Sequence, residues 1–416
     1  MKNIIRFGLL IVILISTIEL SFAKLTVVPG ISVKEEYNDN IFLDSSGEED
    51  DFITTVSPEI ELEYSPNRLL DLSLDYGLNF RFYSRHSSLN DTSIRETQNI
   101  EFQSQIRPFN RVFIDISDVY DRVPVDVRER FAIDNAYFNM TDRNTFSFSP
   151  YMILPLTSTI STTIGYGYGN IWHKNKETVD SYTQSAYLRL NKRFSSKING
   201  TLRYDYIAYR PDLSDDEPAV REYDRHEGSA GIVYRFNPDF EMNGEVGRLW
   251  TDFQTGEDAK LTFWNVATDY RFGSTNIGAG YSYSFDDSAT SGAFKRSRVD
   301  LNLETGRVLR LLINPYYYND EYININRKDK TTGVTFDVSR PLSEKISASL
   351  NGVLERQKFS PEDEKVYRYS LGSALDYRLS RSITTSIGYR YNSRNSDVDT
   401  EDFHNNIAWL QAKLTF

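Results

Sequence analysis

The chain ends Ile407-Ala408-Trp409-Leu410-Gln411-Ala412-Lys413-Leu414-Thr415-Phe416. A strand points successive side chains to opposite faces, so Ala408, Leu410, Ala412, Leu414 and Phe416 share one face. That face is apolar to its last residue, and the expectation is that lipid covers it. Residues 70–83 repeat the pattern at greater length. Leu70, Leu72, Leu74, Tyr76, Leu78, Phe80 and Phe82 lie on one face, with Asp71, Ser73, Asp75, Gly77, Asn79, Arg81 and Tyr83 on the other. Roughly 9–11 tilted residues cross a membrane as a strand, whereas strands of soluble proteins centre near 5–6. Two-faced runs return at 198–209, 277–285, 299–304, 346–354, 369–379 and 383–391.

The beginning of the chain sets the compartment. Lys2 and Arg6 precede an apolar run at 7–18, and Ser21-Phe22-Ala23 offers small residues for a signal peptidase. Residues 1–23 therefore read as a secretory signal peptide cleaved near Ala23. Glu19 and the shortness of the apolar core weigh against a retained anchor. Beyond Ala23 no apolar run approaches the roughly 20 residues of a transmembrane helix. The chain nonetheless holds 28 Tyr and 25 Phe, with a mean hydropathy of −0.49. Transmembrane barrels combine these properties, because only the outward half of each strand is apolar and aromatics crowd the two interfaces.

Other classes are disfavoured by composition. Cysteine is absent, so no disulfide, Cys-attached haem or iron–sulfur cluster is expected. A net charge of −12 suits nucleic acid poorly. Four histidines without cysteine leave little material for a transition-metal site, and no cofactor is expected.

The connections alternate in length. Short ones rich in Pro, Gly, Asn and Ser, such as Ser65-Pro66-Asn67-Arg68, Phe194-Ser195-Ser196-Lys197, Pro341-Leu342-Ser343-Glu344 and Leu379-Ser380-Arg381-Ser382, are of the type that closes hairpins. Between them lie long polar connections, at 43–51, 121–143, 211–222 and 393–402 among others. Short turns on one side and long loops on the other describe an all-β, transmembrane, antiparallel up-and-down β-barrel of the outer-membrane type, with periplasmic turns. Nine short turns and ten long loops give about 20 strands, within a range of 18–22, in a single domain at 24–416. A soluble propeller or sandwich array fits less well, since propeller blades need apolar residues on both faces. Pro58, Pro150 and Pro315 fall inside strand-like runs, where each must forfeit a ladder bond, start a strand or sit at a bulge.

The polar faces carry charges of both signs: Asp75 and Arg81, Arg203 and Asp205, Asp269 and Arg271, Arg298 and Asp300, Asp376 and Arg378, and Glu355 with Arg390. Such residues cannot face hydrocarbon, where a Lys or Arg at mid-depth costs roughly 2–4 kcal/mol. They are candidates to line a lumen, either as a passage for hydrophilic solutes or as pairs that rigidify the wall. The long connection 122–139 holds Asp126, Arg128, Glu129, Arg130 and Asp134 beside Phe131. Long loops of such content are often functional, and this one is a candidate constriction, with a fold over the outer rim as the alternative. Carboxylate clusters at 44–51, 212–217 and 362–364 are the residue type that holds Ca²⁺ or Mg²⁺, but without EF-hand spacing a solvated loop is the simpler reading. His86, His173, His226 and His404 fall at loop-side strand ends, with no nucleophile elbow or metalloprotease motif, so no enzyme is expected. Strand-like sequence begins at 31–37, which leads us to expect no N-terminal plug.

The closing strand with its aromatic last residue, Phe416, resembles the C-terminal membrane-insertion signal of Gram-negative outer-membrane barrels. The segments Glu36-Tyr37-Asn38-Asp39-Asn40-Ile41-Phe42-Leu43, Val56-Ser57-Pro58-Glu59-Ile60-Glu61-Leu62, Arg122-Val123-Pro124-Val125-Asp126-Val127 and 141–151 resemble an outer-membrane β-barrel family found with exosortase (PEP-CTERM) and exopolysaccharide gene clusters, related to the β-barrel porins. The resemblance implies a porin-like channel tied to polysaccharide export or envelope protein sorting. It implies no catalytic residues. Alternatives are an anchoring barrel with a closed lumen whose loops bind partners and, more weakly, a rim enzyme. Expected partners are outer-membrane lipid and lipopolysaccharide, the barrel-assembly machinery and polysaccharide-export proteins.

Overall fold

Strands whose apolar face meets lipid must enclose their polar one, and the chain does this in a single closed sheet. A computed structural model describes residues 24–126, 129, 131–132, 139–175, 178–212, 221–255, 257–288, 292–323, 325–398 and 401–416. The proposed signal peptide, together with Arg128, Arg130 and Asp134 of the candidate constriction, lies outside the described residues.

The wall begins with β1 (Lys24–Asn38), β2 (Asp51–Asn67), β3 (Leu70–Leu78), β4 (Phe80–Tyr83), β5 (Gln98–Phe109), β6 (Val112–Pro124) and β7 (Met140–Pro155). It continues with β8 (Ile160–His173), β9 (Asp180–Arg193), β10 (Ile198–Asp212), β11 (Tyr223–Asn237), β12 (Phe240–Phe253), β13 (Ala259–Phe272) and β14 (Thr275–Ser288). It is completed by β15 (Gly292–Thr305), β16 (Arg310–Tyr322), β17 (Lys328–Pro341), β18 (Ile346–Ser360), β19 (Glu364–Arg378), β20 (Ile383–Ser396) and β21 (Phe403–Thr415). Neighbours in sequence pair antiparallel, and β21 returns to pair with β1 from Gly30 opposite Thr415 to Asn38 opposite Ile407. β3 and β4 both pair with β2 and form one stave interrupted at Asn79. The barrel therefore has 20 staves, the number read from the alternation of turns and loops.

Register carries the two-faced pattern around the wall. Leu62 stands opposite Val27 and Leu74, and Leu74 opposite Phe102. The outer set is exposed, as at Leu410 (60%), Ile387 (58%) and Leu202 (56%). Asp118 and Glu35 depart from the expectation that charge avoids this face: Asp118, opposite Phe102 and Phe146, accepts a hydrogen bond from Asn144, and Glu35, opposite Leu410, accepts one from Thr54.

Four of the short turns share one construction. In Leu156-Thr157-Ser158-Thr159-Ile160, Phe194-Ser195-Ser196-Lys197-Ile198, Leu342-Ser343-Glu344-Lys345-Ile346 and Leu379-Ser380-Arg381-Ser382-Ile383, the second residue's hydroxyl accepts from the amide of the closing isoleucine. The backbone amides of the first two residues donate to that isoleucine's carbonyl. A short hydroxyl side chain thus closes the hairpin locally. Phe109, Phe194, Phe272 and Phe416 are exposed along this rim.

The three prolines face outward and forfeit ladder bonds. Pro58 lies beside the break at Asn79. Pro150 falls in the gap between the Phe148–Tyr168 and Tyr151–Gly165 pairs. Pro315 falls in the gap between the Asp300–Tyr316 and Leu303–Ile313 pairs.

Leu410 and Gln411 are chain neighbours on opposite faces at mid-strand. Leu410→Arg should lower unfolding stability in lipid vesicles by about 2–4 kcal/mol. Gln411→Arg, on the aqueous side, should cost about 0.5 kcal/mol or less. Urea titration of the two variants in vesicles checks this; equal losses would mean that the faces are misassigned.

Candidate functional site

Alternation and register place Asp75, Arg81, Arg203, Asp205, Asp269, Arg271, Arg298, Asp300, Asp376, Arg378 and Arg390 on the inner face. Their pairing differs in part from the sequence expectation. Arg203 donates to Asp205 at 3.0 Å and Arg298 to Asp300 at 2.9 Å, each between residues two apart on one strand. Arg81 instead meets Asp91 at 3.4 Å, because the connection after β4 turns back to bridge that strand's free edge. Glu355 does not pair with Arg390. It accepts from Tyr316 Oη at 2.8 Å and lies 3.9 Å from Arg368. Asp376 accepts from Ser386 at 2.6 Å. The Tyr316–Glu355 bond spans the intervening stave because Gly333 lies between; a Cβ there would come within 2.5 Å of the phenol.

The connection after β6 is shorter than expected, since Arg122, Val123 and Pro124 pair with Asp142, Thr141 and Met140 and belong to the wall. Its neck is closed reciprocally: the Asp126 amide donates to Asn139 Oδ1 at 3.0 Å, and Asn139 Nδ2 donates to the Asp126 carbonyl at 2.6 Å. From this neck the segment reaches the far wall. Arg368 of β19 donates to the Glu129 carbonyl at 3.1 Å and lies 4.5 Å over the Phe131 ring. Ala132 packs with Leu43 and Phe403 in a buried apolar cluster. β6 and β19 are seven staves apart by the shorter way round the wall, roughly 35 Å of strand spacing. Contact between them runs through the interior.

Two linings flank this bridge. On the β1 and β20–β21 side, Asn405 donates to Asn38 and to the Asn40 carbonyl, and Asn392 donates to Asn405 at 3.2 Å. Arg394, 1% exposed, donates to Glu364 at 3.0 Å and to the Glu401 carbonyl at 2.8 Å. On the β9–β15 side the lining is apolar: Tyr209, Tyr223, Leu249, Phe253, Leu261 and Phe285 cluster together, with Tyr209 and Tyr223 stacked at 5.1 Å. Phe285 belongs by alternation to the outer face. It joins the inner cluster because the β13–β14 ladder ends at the Trp264–Tyr283 pair, which frees the upper part of β14. The asparagines and Arg394 escaped the sequence reading; their signal was polar residues at inward positions of loop-side strand ends.

The four histidines occupy the loop side but do not converge. His86 is held between Asp51 (2.9 Å) and Glu49 (2.6 Å), His173 lies 3.6 Å from Asp180, His226 bonds Tyr204 at 2.8 Å, and His404 lies 3.7 Å from Glu48. No group of three or more His, Asp or Glu suited to a metal occurs among the described residues.

Residues 330–416 match the family model described as "Putative beta-barrel porin 2". Among curated protein sequences none matches this chain. Solved structures of similar fold include the siderophore receptor PirA from Pseudomonas aeruginosa, at 11% identity and TM-score 0.51, over 94% of this chain and 80% of that one. The ferric enterobactin receptor PfeA of the same organism (Q482A mutant) aligns at 9% identity and TM-score 0.54, over 95% of this chain and 82% of the receptor. The ferric citrate transporter FecA aligns at 10% identity and TM-score 0.51, over 96% and 79%. At these identities the likeness is one of fold, a closed antiparallel barrel of the outer-membrane type.

Hydrogen bonds that the His86 ring donates to Asp51 and Glu49 raise its pKa, against a smaller opposing effect of burial. Because the charged ring is the favoured form, the tie is complete below the ordinary histidine value of about 6.5 and is lost as pH rises through the raised one. Hydrogen exchange of residues 44–51 should therefore quicken as pH rises through that range, after correction for the intrinsic rate. In His86→Gln the corrected rates should be flat; an unchanged pH profile there would refute the tie.

Proposed function

We propose that the protein is a passive channel of the Gram-negative outer membrane for hydrophilic solutes, with residues 125–139 narrowing its mouth. The observation that supports it most is the bridge from Asp126 to Arg368 above a lumen lined by charges of both signs. A barrel of 16–18 strands already encloses an aqueous channel, so 20 staves leave room that this bridge reduces. Mixed lumen charge suits neutral or acidic polymers without strong ion selectivity. In this reading the protein serves exopolysaccharide export or envelope protein sorting, after cleavage near Ala23. It performs no catalysis and needs no cofactor. Its partners are outer-membrane lipid and lipopolysaccharide, the assembly machinery that inserts it, and polysaccharide-export proteins.

A second reading, an anchoring barrel with a closed lumen, draws on the buried Arg394–Glu364 pair and the Asn38–Asn405 network, which tie the mouth together.

Single-channel recording of the folded protein in planar bilayers separates the two. The channel reading expects steady conductance steps that enlarge at least twofold when residues 127–138 are replaced by a short Gly-Ser link. Arg368→Gln should enlarge them less, by releasing the far end of the bridge. A folded, heat-modifiable barrel that stays silent, including after the loop replacement, would sink the channel and favour the anchor.

A further inference from the structure

We infer that the outer face of β17, β18 and β19 binds the phosphates of a lipid in the outer leaflet, through Lys330, Lys358 and Lys365. Register sets these three lysines directly opposite one another on adjacent staves: Lys330 faces Lys358, and Lys358 faces Lys365. They share the outer face with Leu350, Leu354, Tyr369 and Leu371, all exposed. The ammonium groups thus stand immediately on the loop side of the apolar band. Two further cations extend the cluster, Lys328 one pleat nearer the loops and Arg356 one pleat nearer the band, with its guanidinium 5.7 Å from the Tyr367 ring.

Like charges placed directly opposite on a sheet repel. Three lysines in one row are therefore unfavourable in the isolated barrel and become favourable beside an anion. The surrounding carboxylates do not neutralise the row. Asp363 bonds Lys358, Glu321 stands opposite Lys328, and Asp397 accepts from the Lys365 backbone amide. Glu321 also stands opposite Lys295 on β15, and among the described residues Lys330 and Arg356 have no carboxylate partner. Elsewhere on the outer loop-side belt, Arg210 is paired with Asp224 at 2.6 Å and Arg248 lies 5.8 Å from the Trp250 ring. Arg248 and Lys260 also lack a carboxylate partner among the described residues, but neither stands opposite another cation.

The position selects the occupant. Lysines on paired strands, rather than in loops, are fixed at one depth, and strand spacing of about 4.8 Å spreads the row over roughly 10 Å. That matches a headgroup with more than one phosphate whose acyl chains lie down the face of Leu354, Tyr369 and Leu371. Basic clusters at a membrane surface attract anionic lipids, and salt weakens the attraction.

The test uses the full folded protein in detergent, with diphosphoryl lipid A as probe and native mass spectrometry as readout. It reads lipid directly, so it stands whether or not the lumen conducts. Wild type should retain one lipid A at least tenfold more tightly than Lys330→Gln/Lys358→Gln/Lys365→Gln. The corresponding triple Lys→Arg variant should retain it, and Arg248→Gln/Lys260→Gln should match wild type. Wild type alone should bind diphosphoryl lipid A more tightly than the monophosphoryl form, with affinity falling as salt rises; this arm holds even where the triple variant fails to fold. Equal binding by wild type and the Gln variant, no preference between the two lipids, or equal displacement by inorganic phosphate would each overturn the site. Loss of a dimer in the Gln variant without loss of lipid would assign the surface to a second copy of the chain instead.

Discussion

Hydrocarbon offers no hydrogen-bond partner, so every backbone N–H and C=O that crosses it must find one in the protein. For strands the only complete solution is closure, and the pairing of β21 with β1 is the contact on which the rest depends. Once those staves meet from Gly30–Thr415 to Asn38–Ile407, no stave has a free edge along most of its length and each has a fixed neighbour on both sides. The positions where the ladder yields are few and have local causes. Three follow from prolines, which face lipid and lack the donor that a neighbour would use. At the mouth β4 leaves the β5 ladder and is met by Asp91 instead, and the parting of β13 and β14 lets Phe285 turn inward to an apolar cluster.

Closure also divides the side chains between two solvents. The outer set is mainly Leu, Val, Ile, Tyr and Phe, and the inner set mixes charged, amide and small residues with an apolar cluster at the mouth. On the inner side the wall is braced by pairs of two kinds. Arg203–Asp205 and Arg298–Asp300 join residues two apart on one strand, whereas Tyr316–Glu355 reaches across a stave where Gly333 leaves space. The first kind is partly exposed, and surface ion pairs of this sort contribute roughly 0–1 kcal/mol each. Their weight lies in setting the field of the lumen more than in holding the barrel.

At the mouth the fold joins segments remote in sequence. The asparagine network unites residues 38–40 with 392 and 405, and the bridge places Glu129 and Phe131 against Arg368. These contacts tie Glu129, Phe131 and Ala132 to the far wall across the loop-side end of the barrel. The lysine row on the opposite face of the same β17–β19 wall turns outward to the membrane, so one arc of the barrel addresses two environments.

The sequence by itself determined the class of fold, the number of staves and the face of nearly every strand residue. All of this follows from a local rule: side chains alternate, and one set is apolar enough for lipid. That eleven charged residues share the polar face was legible for that reason, and so were the turns closed by Thr157, Ser195, Ser343 and Ser380. The partners of those residues were not. Arg81 meets Asp91 and Glu355 meets Tyr316 because of which strands lie side by side and at what stagger. Likewise, Lys330, Lys358 and Lys365 stand more than thirty positions apart from first to last and become a row only in register. Alternation along one strand fixes direction, whereas contact requires the relative position of different strands, and only the closed sheet supplies that.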